Sequence, residues 1–227
     1  MFRLQRSLWQ LQIQAITKRH GPARAFFLAT RRGLWHNKPK YPQGGFSVRF
    51  EELLSLRQSC RNYDAARPVA EEDILTCARA IRLAPSACNA QPYHITVCRG
   101  DLAAQVAKCT QGMGMNAFAG NAPCFFVVSE GAYNATARAG SKLKDQDYRS
   151  VDIGIAVAQM TLQAADLGLG TCILGWFDEK KLMRLLGLDG RVRVVIALGH
   201  PVEGDPIRPK VRKDLEDLVS FKDTAEE

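Results

Sequence analysis

The segment RQSCRNY at 57–63 places Arg57, Ser59 and Arg61 at alternate positions, an unusual concentration of hydrogen-bond donors beside an apolar stretch. Two guanidiniums and a hydroxyl so spaced can grip an anion through charge-assisted bonds. The same residues also suit a plain solvated helix end, where cations sit favourably against the dipole. A second unusual segment, APSACNAQPY at 84–93, combines two prolines, two alternating polar amides and small residues.

Other chemistries find little support in the sequence. No glycine-rich phosphate loop is present, so a bound phosphate must be held by side chains. The run DLGLGT at 166–171 ends a helix, whereas in a dinucleotide fingerprint the glycines follow a strand and open one. The four histidines, at 20, 36, 94 and 200, have no partner at metal-pair spacing, and no nucleophile-elbow motif occurs. Seven cysteines, at 60, 77, 88, 98, 109, 124 and 172, include no C-x-x-C pair, which points to reduced thiols rather than a zinc or disulfide framework.

The elements that must position the donors follow from periodicity. Phe50, Leu53, Leu54 and Arg57 recur at helical spacing behind Ser47, a candidate N-cap. A helix over 70–83 carries Glu71, Glu72 and Asp73 in its first turn and meets Pro85 beyond its end. Residues 94–98 read as a strand, 101–109 as a helix and 124–128 as a buried strand. The longest helix spans about Ser150 to Leu167, with Ile153, Ala156, Val157, Met160 and Ala164 on one stripe and Gly168 as its stop. A strand at 171–174, a helix from Asp178 to Gly187 and a strand at 192–198 complete an α/β (α+β) architecture, with a mixed central sheet flanked by helices.

The chain has 227 residues and a formal net charge of +8, but residues 1–50 hold ten Lys or Arg and no acid. The remainder is close to neutral, at 21 basic against 23 acidic residues. This argues for two parts: residues 1–46 as a basic extension and linker, and residues 47–227 as one globular domain. The first twenty residues form a basic amphipathic pattern, which suits a helix docked on the body, an organellar transit segment or an anionic membrane surface. No stretch is long and apolar enough for a spanning helix, so no stable membrane insertion is expected. A cytoplasmic location is expected, or an organellar one if residues 1–40 are a transit segment.

Together, RQSCRNY and APSACNAQPY resemble the signature of the nitroreductase-like flavoproteins. LGLGTC at 167–172, ILGWFD at 173–178, LGHP at 198–201 and PKVRK at 209–213 match the same family in order. The resemblance covers about residues 47–220. It implies an FMN-dependent oxidoreductase, with NADH or NADPH as electron donor and small electron-poor acceptors such as nitro compounds or quinones, reduced by ping-pong hydride transfer.

By matching position, the resemblance implies that Arg57, Ser59, Lys210 and Arg212 hold the FMN phosphate and ribityl chain while Arg61 faces the pyrimidine edge. A cation at that edge favours the anionic reduced flavin. Pro85, Ser86, Ala87 and Asn89 would reach the flavin of a second subunit, which requires a homodimer. Backbone groups of Leu174, Gly175 and Trp176 would lie by the reactive N5. Tyr93 stands where the family usually has Trp, His200 where it commonly has Tyr, and Trp176 where Gly is frequent, so Trp176 can narrow the acceptor pocket. Cys60 and Cys88 read as packing thiols.

Two rival readings remain at this level. One keeps the fold but assigns a specialised task, such as reductive dehalogenation or flavin fragmentation, decided by a candidate lid at Gly131–Arg149 that carries Tyr133, Lys142, Lys144 and Tyr148. The other is a basic adaptor that binds nucleic acid or anionic membrane through residues 1–50, which the near-neutral body disfavours, so no nucleic-acid partner is expected. Deleting residues 1–40 should leave FMN binding intact, because every motif lies beyond them. Loss of flavin or of solubility in the truncated protein would show instead that the extension packs on the body.

Overall fold

The computed structural model describes residues 50–222. Ser47 and the basic extension lie outside that range. The described chain runs α1 (Phe50–Leu56), α2 (Glu71–Arg82), β1 (Tyr93–Arg99), α3 (Asp101–Thr110), β2 (Cys124–Glu130), α4 (Ala135–Lys144), α5 (Arg149–Asp166), β3 (Gly170–Leu174), α6 (Glu179–Leu186) and β4 (Val192–Gly199). Single 3-10 turns occur at Ala87–Asn89, Ala117–Asn121 and Leu215–Asp217.

The strands form one sheet in the order β1-β2-β4-β3, each neighbour antiparallel. Its centre, β2 and β4, is buried on both faces, so these strands read as continuous apolar runs rather than alternating ones. The pleat divides them between two cores. Phe125, Val127, Val195 and Ala197 face α3 and α6, whereas Phe126, Val128, Ile196 and Leu198 face α2 and α5. A helical layer therefore covers each face.

Helix ends follow local chemistry. Asp178 caps α6 by accepting from the Lys181 N–H at 2.9 Å, and Gly187, at φ +62°, ends it in the left-handed region. Beyond α5, Gly168 turns the chain at φ +72°, and the Leu169 N–H reaches back to the Ala164 carbonyl at 2.8 Å. Helix α4, inside the candidate lid, was not placed by periodicity. Its signal is the N-cap Asn134, whose side chain accepts from the Ala137 N–H. No helix among the described residues is long and apolar enough to cross a membrane.

One further pairing mixes the sheet. Ser59 bridges Thr171 in parallel, and the Cys60 N–H donates to the Thr171 carbonyl at 2.8 Å. The donor segment after α1 thereby lies along the free edge of β3. This close approach depends on Gly170, where a Cβ would sit 2.7 Å from Cys60 Cβ and Sγ and 3.2 Å from Pro201 Cγ. Gly170→Ala should therefore destabilise the fold by about 1–3 kcal/mol through overpacking. Thermal or urea denaturation checks this, and an unchanged midpoint would mean that the segment is not pinned at Gly170.

Candidate functional site

Pairing with β3 orients the donor segment. Cys60 is buried at 1% exposure, so the period of two turns Ser59 and Arg61 to the opposite side, Ser59 half-buried and Arg61 exposed, while half-buried Arg57 still belongs to the end of α1, its N–H on the Leu53 carbonyl at 3.0 Å. Burial pushes the Cys60 and Cys172 thiols up, and the Cys98 and Cys124 thiols to about 11 and about 12. These groups stay protonated and pack. Cys88 departs from the packing role expected of it. It is exposed, because it sits on a projecting turn.

A C-terminal strap completes this face. The Arg208 Nη2 donates to the Ser59 carbonyl at 2.7 Å. The Arg208 N–H donates to Gln58 Oε1 at 3.0 Å, and Gln58 Nε2 returns a bond to the Pro206 carbonyl at 3.1 Å. Lys210 Nζ donates to the Ser55 carbonyl near the end of α1. Arg57, Ser59 and Lys210 are thus brought to one region. Arg212 follows on the strap, exposed, its guanidinium turned to the Val211 carbonyl at 2.7 Å. Arg208 and Gln58 were not read from the sequence as site residues. Their only signal was proximity to the two motifs.

None of the ion pairs among the described residues takes up Arg57, Arg61, Lys210 or Arg212. The contrast with the lid is direct. There, Arg149 pairs with Glu130 at 3.0 Å and Asp147 at 2.6 Å, and Arg193 pairs with Glu130 at 3.0 Å. The Arg149 guanidinium holds the Asp147 carboxyl well below the usual carboxylate range. Arg149 also lies over the Tyr133 ring at 5.3 Å, closing the base of the 131–149 segment.

Beside the cationic face is the turn after β3. Leu174 is buried and anchors it, Gly175 is exposed with open space where a Cβ would stand, and Trp176 is 48% exposed. Asn116 ties this turn down. Its Nδ2 donates to the Thr110 carbonyl at 3.1 Å and to the Trp176 carbonyl at 3.2 Å. A Cβ at Gly112 would lie 3.5 Å from Trp176 Nε1, so the indole packs close to that backbone. Asn116 also went unread in the sequence. A cleft of about 520 Å³ adjoins Arg57, with apolar walls from Leu54, Ile153, Val157, Ile173 and Val194. That volume falls within the range of ligand sites.

The second motif forms its own loop. Pro85 and Asn89 are exposed, and Ser86 and Ala87 half-buried. Cys88, Asn89 and Gln91 adopt left-handed φ values of 51°, 50° and 45°. Non-glycine residues held there cost on the order of 1–3 kcal/mol each. Their supports are Ser86 Oγ, which accepts from the Gln91 N–H at 2.9 Å, and Asp152 Oδ1, which accepts from the Ala87 N–H at 3.0 Å. Asn134 Nδ2 adds a bond to the Cys88 carbonyl at 3.1 Å. Among the described residues, no hydrogen bond joins this loop to the 57–61 segment, the strap or the Gly175 turn. One chain therefore presents two groups of candidate site residues that no hydrogen bond joins among the described residues.

The sequence matches the Nitroreductase family over residues 54–113 and 103–200. The chain belongs to the nitroreductase family. It is 28% identical over 186 residues to an oxygen-insensitive NADPH nitroreductase of Helicobacter acinonychis, covering 67% of this chain and 88% of the relative. It is 26% identical over 175 residues to an FMN reductase [NAD(P)H] of Bacillus subtilis, covering 71% and 69%. Among solved structures, a nitroreductase family protein from Streptococcus pneumoniae shares the fold at TM-score 0.65 and 20% identity, covering 77% of this chain and all of that one, 100%. An Exiguobacterium sibiricum protein, solved in complex with FMN, shares it at TM-score 0.64 and 20% identity, covering 78% and 98%.

The strap generates a direct expectation. Arg208→Ala should cost about 1–3 kcal/mol, since it leaves the Ser59 carbonyl without its charged donor, and should speed amide exchange at Cys60. Arg208→Lys should restore part of that protection. Unchanged exchange at Cys60 in the Ala variant would show that the strap does not hold the segment.

Proposed function

We propose that this nitroreductase family protein is an FMN-dependent oxidoreductase that takes hydride from NADH or NADPH and passes it to small electron-poor acceptors, working as a homodimer. The observation that carries this reading is the set of four cations without carboxylate partners, Arg57, Arg61, Lys210 and Arg212, on a preassembled face beside an open glycine turn. Their chemistry fits FMN, whose phosphate is close to doubly anionic. The names of relatives, an NADPH nitroreductase and an FMN reductase, support the same conclusion.

In this reading, Arg57, Ser59, Lys210 and Arg212 bind the phosphate and ribityl hydroxyls, and Arg61 stands at the pyrimidine edge. Bound there, FMN supplies reversible two-electron chemistry between the nicotinamide donor and the acceptor. Gly175 leaves room for the ring system, Leu174 anchors the turn from below, and Trp176 forms a wall that limits the acceptor's size. Arg208 and Gln58 position Ser59, and Asn116 positions the Trp176 carbonyl. All seven cysteines are free, which agrees with a reducing compartment such as the cytoplasm.

That no hydrogen bond joins the two motifs among the described residues agrees with a shared site. Pro85, Ser86, Ala87 and Asn89 would approach the flavin held by the partner. The exposed apolar side chains of Leu54, Leu56, Val151 and Ile173 offer a surface for such a contact.

The purified protein should be yellow, with flavin bands that NAD(P)H bleaches anaerobically. A colourless protein that does not bind added FMN would overturn the proposal. Arg57→Ala or Arg212→Ala should weaken FMN binding by about ten- to a hundredfold, the loss of one charge-assisted phosphate bond. Co-refolding Arg57→Ala with Asn89→Ala chains, each nearly inactive as a homodimer, should restore activity in about a quarter of sites under the two-fold symmetry. No recovery in the presence of verified heterodimers would mean that both motifs serve the same chain's flavin.

A further inference from the structure

We propose that Asp152 is a positioning residue for the 85–91 loop, and that its buried charge serves the loop's conformation rather than the stability of the chain. The inference rests on the FMN reading above. Asp152 is 2% exposed, in the first turn of α5. The positive end of the helix dipole offsets part of the cost of burying it there. Its hydrogen bond, however, goes outside its own helix. Oδ1 accepts from the Ala87 N–H at 3.0 Å, across 65 residues of sequence, while Oδ2 is buried with no hydrogen-bond partner among the described residues.

A carboxylate so placed is a poor stabiliser, because half of its acceptor capacity is desolvated and unused. It is nonetheless a strong anchor, since a charge-assisted bond holds an N–H more firmly than a neutral one. The loop needs such an anchor. Cys88, Asn89 and Gln91 all sit in the left-handed region, and the remaining supports are weaker in kind. The Ser86–Gln91 bond is internal to the loop, and the Asn134 bond comes from the entrance of the 131–149 segment and is exposed. Among the described residues, Asp152 alone ties the loop to the buried body by a side-chain hydrogen bond. Its charge is also felt by Tyr93, whose phenol is pushed up by burial and then by Asp152. By fixing the Ala87 N–H, Asp152 sets the direction in which Pro85 to Asn89 project toward the flavin of the partner.

The test compares wild type with Asp152→Asn, which keeps an oxygen acceptor without the charge, and Asp152→Leu, which keeps the shape without the acceptor. FMN dissociation constants are read by flavin fluorescence. Apoprotein melting and Ala87 amide exchange are measured on the same samples without flavin. The expected result is a loss of FMN affinity of about fivefold for Asn and more than about tenfold for Leu. Ala87 exchange should quicken in the same order, and the melting temperature of the Asn apoprotein should not fall. The proposal is overturned if Asp152→Leu binds FMN within about twofold of wild type, or if both variants lose melting temperature in step with affinity. Should Asp152→Leu not fold, Asp152→Asn decides alone by the same split between affinity and melting. Wild-type protein that binds no FMN would sink the functional reading instead, and Ala87 exchange would still test the anchor.

Discussion

The cationic face depends on a short backbone pairing: the Cys60 N–H bound to the Thr171 carbonyl at 2.8 Å, along the outer edge of β3. A sheet edge left open would expose unpaired backbone groups. Here the segment after α1 covers part of that edge, and the pairing that protects the sheet also fixes the candidate donor segment. Burying Cys60 turns its immediate neighbours Ser59 and Arg61 to the other side, and Arg57 joins them from the end of α1. Gly170 makes the approach possible, because any side chain at that position would collide with Cys60.

The distribution of charge separates structure from function. Around the base of the 131–149 segment, Arg149 and Arg193 are matched by Glu130 and Asp147, and the network joins chain segments. Along the donor segment and the strap, Arg57, Arg61, Lys210 and Arg212 have no such match, although Arg208 faces Asp205 at 3.8 Å. Unneutralised positive groups repel one another and contribute nothing to folding by their proximity. Their placement is understandable if an anion belongs among them, met by donors that need little reorganisation.

The 85–91 loop illustrates another constraint. Three left-handed residues in four consecutive positions make a shape that local sequence would not adopt unaided. It is held from outside, by a carboxylate on α5 and an amide at the entrance to α4. The loop is thus linked to the candidate lid and the long helix that follows it, although it lies far from both in sequence.

How much of this was legible beforehand follows from the range of each interaction. Helix assignments for α2 and α5 came from periodicity, because burial on one face imprints its period on neighbouring residues, those of β2 and β4 from continuous apolar runs, and the stops at Gly168 and Gly187 from local chemistry. The donor cluster at 57–61 and the order of the motifs were also visible as residue types and spacing. Helix α4 was missed because its apolar stripe is slight. The bond from Arg208 to Ser59 spans 149 residues, and that from Asn116 to Trp176 spans 60, so neither leaves any periodic trace. The exposure of Cys88 was equally hidden, since burial there depends on a left-handed turn held in part by distant partners, Asp152 and Asn134. Local composition thus determined which elements form and which side chains could meet an anion. The tertiary structure alone decided which of them meet, because those contacts are made between segments whose sequences carry no information about one another's position.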